Sequence, residues 1–517
     1  MFRNIYRYND YDLINNKKEK DMTLKIKYIG IDTGRRPTVY LYEDSSIVST
    51  EGFSCLSRVK ISNNKGGVAY ATLNLVTDET LVKKDEVGVS KKVLDQLKAV
   101  DGDVCEIKQM EPLLSFGHIR HKLRGKPFTE DSILEVLKDV VAGKYTDTHM
   151  ACLCAATEST QLSVDEIVYF ARAMVKTGDV VKWDRDIVVD KHCIGGVPGN
   201  RTTPISIAIV AEHGLCIPKT SSRAITSPAG TADVMEAITN INISTEEMKT
   251  IVNKAGGCLI WGGSVDLNPS DDIIINVKKD LDLDSKGQMM ASILSKKIAA
   301  GSTHVLIDIP YGPHAKTKTK DTAYELKRDF EAIGEKLGIK VVVEMSDGSQ
   351  PIGNGIGPVL EAIDIIKVLK NEKDAPEDLR EKALYLSGII IEFDQKVAKG
   401  DGLTIAKDIL DSGRAWERFK KICEAQGGLK KLEPAKLTHD ILAKRGGIVR
   451  EFDNKKLSNV AKLAGCPSHF GAGIFLYKHV SDWIKEGEKL YTIYSNSPGE
   501  MKVAAEFAEK YEIIKIE

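Results

Sequence analysis

The run Asp190-Lys191-His192-Cys193-Ile194-Gly195-Gly196-Val197-Pro198-Gly199-Asn200-Arg201-Thr202-Thr203 has the residue types of an anion site. A short apolar strand, 187–189, leads into it, and an apolar helical pattern over 205–211 follows. Glycines let main-chain N–H groups come close to a ligand, and a helix N-terminus adds partial positive charge. Lys191 and His192 are expected at the carboxyl end of the strand, where open α/β sheets take their ligands. A phosphate or a phosphorylated group is therefore the first ligand to expect. The competing reading is a glycine turn that serves tight strand–helix packing.

Other segments carry related chemistry. The loop Thr220-Ser221-Ser222-Arg223-Ala224-Ile225-Thr226-Ser227-Pro228-Ala229-Gly230-Thr231-Ala232-Asp233 offers hydroxyls and an arginine before a helix that starts near Thr231. Hydroxyls and a guanidinium suit phosphate or sugar oxygens. Ser292 and Lys296 stand four residues apart, on one face of a helix. Asp280, Asp282 and Asp284 precede them. Such carboxylates are more often solvated than metal-bound, but one aimed into an apolar cleft has its pKa raised and can act as a general acid. Lys316 follows a strand ending at Ile309 and is a further strand-end cation.

The elements needed to position these residues suggest a multidomain α/β chain. Residues 1–21 read as a disordered tail. Short strand patterns at 38–42, 57–61, 69–75 and 104–108, separated by turn residues, predict an N-terminal β-barrel-like domain over 22–110. A helical period then predicts an all-α domain over 111–184. Ser163 and Glu166 have capping-box spacing there, and 132–141 is a second helix. Strands at 187–189, 305–309 and 341–344 alternate with helices, which predicts an α/β phosphate- and substrate-binding domain with a mostly parallel sheet over 185–425. In it a glycine ladder, 353–357, leads into a helix over 359–369 and reads equally as ligand approach or turn chemistry. A linker, 426–436, and a C-terminal α+β domain, 437–517, complete the chain. Residues 480–494 of that last domain read as strand, tight turn, strand.

Composition narrows the function classes. Lys plus Arg total 73 against 74 Asp plus Glu, so no basic excess argues for nucleic acid. No apolar run reaches the ~18 residues needed to cross a bilayer, so no membrane partner is expected. The 9 cysteines are scattered and lack a CxxC pair, as suits a reducing cytoplasm. No metal site or organic cofactor is expected.

The segments 191–203, 219–236, 281–285 and 295–313 together resemble the thymidine/pyrimidine-nucleoside phosphorylase family. The likeness is strongest to its type 2 thymidine phosphorylase and AMP phosphorylase branch, and 30–41 and 51–60 resemble the extra N-terminal domain of that branch. The resemblance implies a site between the helical and α/β domains, and a homodimer or higher homo-oligomer. It implies that Lys191 and Gly196 line the anion site, with Ser221 also on phosphate. Ser222, Arg223, Ala224, Ile225, Thr226, Ser227 and Thr231 would take the phosphate and sugar end of the substrate. Ser292 and Lys316 match the remaining substrate contacts of the AMP branch, and Ser292 and Lys296 match residues that touch the base in the thymidine enzymes. Asp284 matches the proton donor of the AMP branch, and His192 a catalytic-candidate histidine of the thymidine enzymes. The chain departs from the thymidine enzymes in having Cys193 in place of a phosphate-binding serine. It also has a bulkier 221–231 loop, and Val277 falls near their base-binding arginine.

The implied reaction is phosphorolysis. Inorganic phosphate, a co-substrate, attacks C1′ of the pentose and the base leaves through an oxocarbenium-like transition state. Thymidine is the first expected substrate and AMP the alternative. A phosphoribosyltransferase using pyrophosphate chemistry with Mg²⁺ and a non-enzymatic nucleotide-binding module are the remaining classes.

Overall fold

The computed structural model describes residues 23–34, 36–224, 227–265, 267–281, 283 and 285–517. The expected tail, 1–21, lies outside them. The chain divides into two compact units. One holds the residues up to 124 together with 135–153, and the other holds 125–134 together with 154–517.

In the first unit, strands β1 (Leu24–Tyr28), β2 (Thr38–Tyr42), β3 (Arg58–Asn63), β4 (Val68–Val76), β5 (Glu86–Val89) and β6 (Val104–Gln109) close a barrel in the order β1-β5-β2-β4-β3-β6. Helices α1 (Ser46–Glu51) and α2 (Lys91–Leu97) accompany it. Period-two alternation fills the interior: Ala69, Ala71 and Leu73 of β4 meet Val39, Leu41, Val59 and Ile61. Closure leaves no free sheet edge. Arg58 Nη2 donates to the Gly143 carbonyl at 2.9 Å and Arg36 Nε to Asp147 Oδ2 at 2.8 Å, which fastens 135–153 to the barrel.

Four helices follow: α3 (Phe116–Leu123), α4 (Glu130–Val141), α5 (Asp147–Ser159) and α6 (Val164–Lys176). The capping box at α6 is complete. Ser163 Oγ accepts from Glu166 N–H at 3.3 Å, and Glu166 Oε2 accepts from Ser163 N–H at 2.9 Å.

In the second unit β7 (Val189–Cys193), β8 (Ile217–Ser221), β9 (Gly257–Trp261), β10 (His304–Tyr311) and β11 (Lys340–Asp347) are parallel. A parallel bridge between Val188 and Cys216 joins the two strand groups, giving the order β11-β10-β7-β8-β9. Chain progression runs outward in both directions from β7. The topological switch point therefore lies between β7 and β10, and the carboxyl ends there are the place for a ligand. Helix α7 (Thr202–His213), which follows β7, is apolar on all sides and buried from Thr202 to Ala211. Helices α8 (Thr231–Ile238), α9 (Thr245–Ala255), α10 (Pro269–Leu281), α11 (Lys286–Ala299) and α12 (Lys320–Leu337) complete this layer of the chain. Helices α10 and α11 pack on α6, so the helical layer draws in segments from beyond 184 and is not one contiguous stretch.

Beyond β11 come β12 (Gly355–Ile356), α13 (Pro358–Leu369), α14 (Glu377–Ile391), α15 (Gly402–Asp411) and α16 (Arg414–Ala425). In the glycine ladder at 353–357, Asp364 Oδ2 accepts from Asn354 N–H at 2.7 Å and Gly355 N–H at 2.6 Å, while Asp378 accepts from Gly353 N–H. Those amides are taken by the chain's own carboxylates, so turn chemistry is the correct reading. The stretch expected as a linker starts on a buried clamp. The Gln426 amide donates to the Asn240 and Leu259 carbonyls and accepts from Leu259 N–H.

The C-terminal part comprises β13 (Leu437–Leu442), β14 (Gly447–Phe452), α17 (Asn454–Leu463), β15 (Gly473–Leu476), β16 (Trp483–Ile484), β17 (Lys489–Ser495), α18 (Pro498–Lys510) and β18 (Ile514–Ile516). Phe452, Leu457, Tyr491 and Ile493 lie in its core. The expected strand–turn–strand is present, but β16 pairs with β14 whereas β17 pairs with β13 and β15. The turn at 485–488 crosses between sheets and does not close a hairpin.

Candidate active site

The strand expected at 187–189 is displaced toward the carboxyl side. Asp190, Lys191, His192 and Cys193 belong to β7 itself, paired with β10 from Val305 to Asp308. Alternation therefore sends Asp190 and His192 to one face and Lys191 to the other. Fully buried Asp190 lies 2.8 Å from Lys297 Nζ and 3.4 Å from Lys219 Nζ. Fully buried Lys191 donates from Nζ to Thr202 Oγ1 at 2.7 Å and Thr203 Oγ1 at 3.2 Å, in the first turn of α7. Burial lowers its pKa, and Asp308 on β10 works against that shift. Burial, then the charges of Lys297, Lys219, Lys296 and Lys191, hold His192 well below the usual imidazole range. Three of these lysines are themselves paired, Lys297 and Lys219 with Asp190 and Lys296 with Asp271.

The loop after β7 is built for close approach. Gly195, Gly196 and Gly199 have φ of 93°, 88° and 70°, a region that disfavours side chains. A Cβ on Gly196 would stand 2.2 Å from Lys316 N, so this loop and the loop after β10 meet main chain to main chain at the switch point. Lys316 is exposed there. The N-cap of α7 is Arg201, which supplies no capping acceptor to the helix. Cys193 accepts from Asn200 Nδ2 at 3.4 Å, and burial pushes its thiol up to about 11, so it is a neutral, unreactive group.

Ser221 ends β8, the neighbour of β7. Its Oγ is buried and has no hydrogen-bond partner among the described residues. A buried hydroxyl left unpaired is costly unless a ligand or water completes it. Ser222 is exposed, and its carbonyl accepts from Ala232 N–H. Asp233 gathers the loop by accepting from Ala224 N–H at 2.7 Å and Gly230 N–H at 2.8 Å. Ser227 Oγ donates to the Ala229 carbonyl, and Thr231 opens α8. Arg223 is turned to other work. Its guanidinium is held by both oxygens of Glu236, lies 3.5 Å from Asp233 and stacks 4.8 Å above the Trp261 ring. Its charge is already matched, so it does not stand as an unpaired anion receptor. Ile225, Thr226 and Asp284 lie outside the described residues.

Ser292 and Lys296 share a face of α11, and both meet buried Asp271 of α10. Ser292 Oγ donates to Asp271 Oδ2 at 2.7 Å, and Lys296 Nζ lies 2.5 Å from the same oxygen. Burial disfavours the Lys296 charge, but Asp271 outweighs it and raises the pKa. The next residue of α11, Lys297, meets Asp190 of β7 at 2.8 Å, which sets this part of α11 beside the strand. Sequence reasoning assigned no role to Asp190, Asp271, Arg201 or Glu361. A carboxylate beside Lys191 in the motif was the one available signal, for Asp190.

Residues 185–416 match the glycosyl transferase family a/b domain, 117–178 its helical bundle domain, and 448–514 the pyrimidine nucleoside phosphorylase C-terminal domain. A protein described as "Putative thymidine phosphorylase" from Legionella pneumophila (strain Corby) is 44% identical over 95% of this chain and 95% of its own. One from Hahella chejuensis with the same description is 45% identical over 94% of this chain and 95% of its own. The chain belongs to the pyrimidine nucleoside phosphorylase family. It is thus a pentosyltransferase of the glycosyltransferase class. Anthranilate phosphoribosyltransferase from Thermus thermophilus shares the fold, with a TM-score of 0.51 at 18% identity over 60% of this chain and 99% of that one. Among the described residues, no helix of this phosphorylase-family chain is long and apolar enough to cross a membrane.

Proposed function

We propose that the chain catalyses reversible phosphorolysis of thymidine to thymine and 2-deoxyribose 1-phosphate. The supporting observation is the anion cradle at the carboxyl ends of the strands: a glycine loop leading from β7 into α7 and, at the end of neighbouring β8, the orphan Ser221 hydroxyl. Phosphate oxygen attacks C1′, the C1′–N bond breaks, and its electron pair leaves with thymine. Lys191, Gly196, Ser221 and Thr231 hold the phosphate, which is mainly positioning and electrostatics. Ser292 and the charged Lys296 face the base and stabilise the negative charge it carries away. Asp284 supplies the proton. His192, being neutral, donates a hydrogen bond and is not the acid. No metal takes part. The enzyme works as a cytoplasmic homodimer or higher homo-oligomer.

The relatives' descriptions favour thymidine over AMP. Incubating the pure protein with phosphate and either thymidine or AMP, then measuring free base, tests the reading. Thymine release is expected. Adenine release alone would replace thymidine with AMP, and turnover that needs pyrophosphate and Mg²⁺ would replace phosphorolysis altogether.

A further inference from the structure

Among the described residues, Arg201 is the side chain of the first anion loop that reaches the second. From the N-cap of α7 its Nη1 donates to its neighbour's carbonyl on Asn200 at 3.0 Å, while Nη2 donates to the Ala229 carbonyl, two residues before Thr231. Its Nε lies 2.6 Å from Oε2 of Glu361, a contact of charges without hydrogen-bond alignment. Glu361 is buried in the first turn of α13, and its Oε1 accepts from Gly357 N–H at 3.0 Å. A Cβ on Gly357 would lie 2.5 Å from the Ala472 carbonyl oxygen and 2.9 Å from Cys466 Sγ, so the start of α13 is seated on the C-terminal part. Chain-distant segments thus converge on one guanidinium.

We infer that Arg201 and Glu361 are positioning residues that hold the two phosphate-binding loops at their working separation, with Glu361 fixing the Arg201 side chain that spans them. Neither touches the reacting atoms. The inference rests on the phosphate site proposed above. A planar guanidinium suits the task because its donors diverge in fixed directions, so anchoring one edge aims the other. Lysine cannot do both at once.

The pair also has a pH consequence. Glu361 is raised to about 7, first by burial, with Asp364 on its own helix and Asp233 on α8 adding to the rise. Arg201 and the Gly357 amide oppose it. Cys466, which faces Glu361 from the C-terminal part, stays a neutral thiol. As pH falls through about 7, Glu361 takes up a proton and its hold on Arg201 weakens.

The test compares Glu361→Gln, Arg201→Lys and the unaltered protein by two independent readouts. The first is binding of inorganic phosphate alone, by calorimetry, from pH 6 to 8.5. The second is steady-state thymidine phosphorolysis with both substrates varied. Glu361→Gln is expected to weaken phosphate binding and raise KM for phosphate by about tenfold, leaving KM for thymidine within about twofold. It should also remove the step near neutrality from the phosphate-affinity profile that remains after phosphate's own ionisation is allowed for. Arg201→Lys should weaken phosphate binding at every pH. Equal changes in both KM values, or unchanged phosphate affinity in a folded Glu361→Gln, would overturn the inference. If neither variant folds, Glu361→Asp, which keeps the charge but shortens its reach, must show the selective phosphate defect, and its absence also overturns the inference. Normal phosphate binding without thymidine turnover in the unaltered protein would count against the proposed substrate and leave the calorimetric test of the pair intact.

Discussion

Gly196 and Lys316 touch through their backbones: no side chain fits on the glycine, because its Cβ would stand 2.2 Å from the lysine's amide nitrogen. This contact binds the loop after β7 to the loop after β10 and sets the floor of the proposed anion site. Gly196→Ala must both push Lys316 away and adopt φ near 88°, where L-residues are strained. The strain costs about 1–3 kcal/mol. Phosphate KM should rise together with a lower melting temperature, and crystallography should show the two loops parted.

Asp271 keeps Lys296 charged. Replacing it by asparagine removes the group that outweighs burial, so the Lys296 pKa must fall from its raised position. The alkaline limb of kcat/KM should then move to lower pH. Lys296→Met should lower kcat/KM by about 100-fold at all pH values. Ser292→Ala, which removes one hydrogen bond to Asp271, should cost about 1 kcal/mol. Full pH–rate profiles of the three variants check the set.

His192 is expected to stay neutral in the folded protein below the pH at which an exposed histidine charges. Its folded pKa is depressed. The unfolded chain therefore binds the proton first on acidification, and stability contributed by neutral His192 is present above the unfolded value of ~6.5 and is lost as pH falls below it. His192→Gln should flatten this part of the stability curve in urea melts between pH 5 and 7.5. An imidazole signal for His192 titrating at the exposed-histidine value would contradict the environment described here.

Asp190 shares its charge between Lys297 and Lys219 in full burial. Asp190→Asn leaves these ammoniums without their counter-charge, and breaking such a pair costs about 3–5 kcal/mol. The double variant Asp190→Asn with Lys297→Met should be less destabilised than the sum of the singles. A double-mutant cycle from denaturant melts measures that coupling.

What could be read from the sequence followed local signals. Alternation placed β2, β3, β4 and β6, the Ser163–Glu166 spacing placed the start of α6, and the glycine run marked the loop after β7. These features depend on neighbours a few residues apart. Arg201 with Glu361, and Asp271 with Lys296, depend on helices brought together from distant segments, for which one sequence carries no periodic trace. β16 and β17 show the same limit: the turn between them was legible, but their partners were not, because sheet membership is decided by tertiary pairing. The β7 strand ran past its expected end because Asp190, Lys191 and His192 look like loop residues by composition. Buried counter-charges on Lys219, Lys297 and Asp308 make them tolerable inside a sheet.

The most direct measurement is ³¹P NMR of the purified protein with thymidine and inorganic phosphate in one tube. The account predicts loss of the phosphate signal with equal growth of a sugar 1-phosphate signal and of free thymine, abolished when Lys191 is replaced by methionine. An unchanged phosphate signal while thymine accumulates, or no reaction at all, would contradict it.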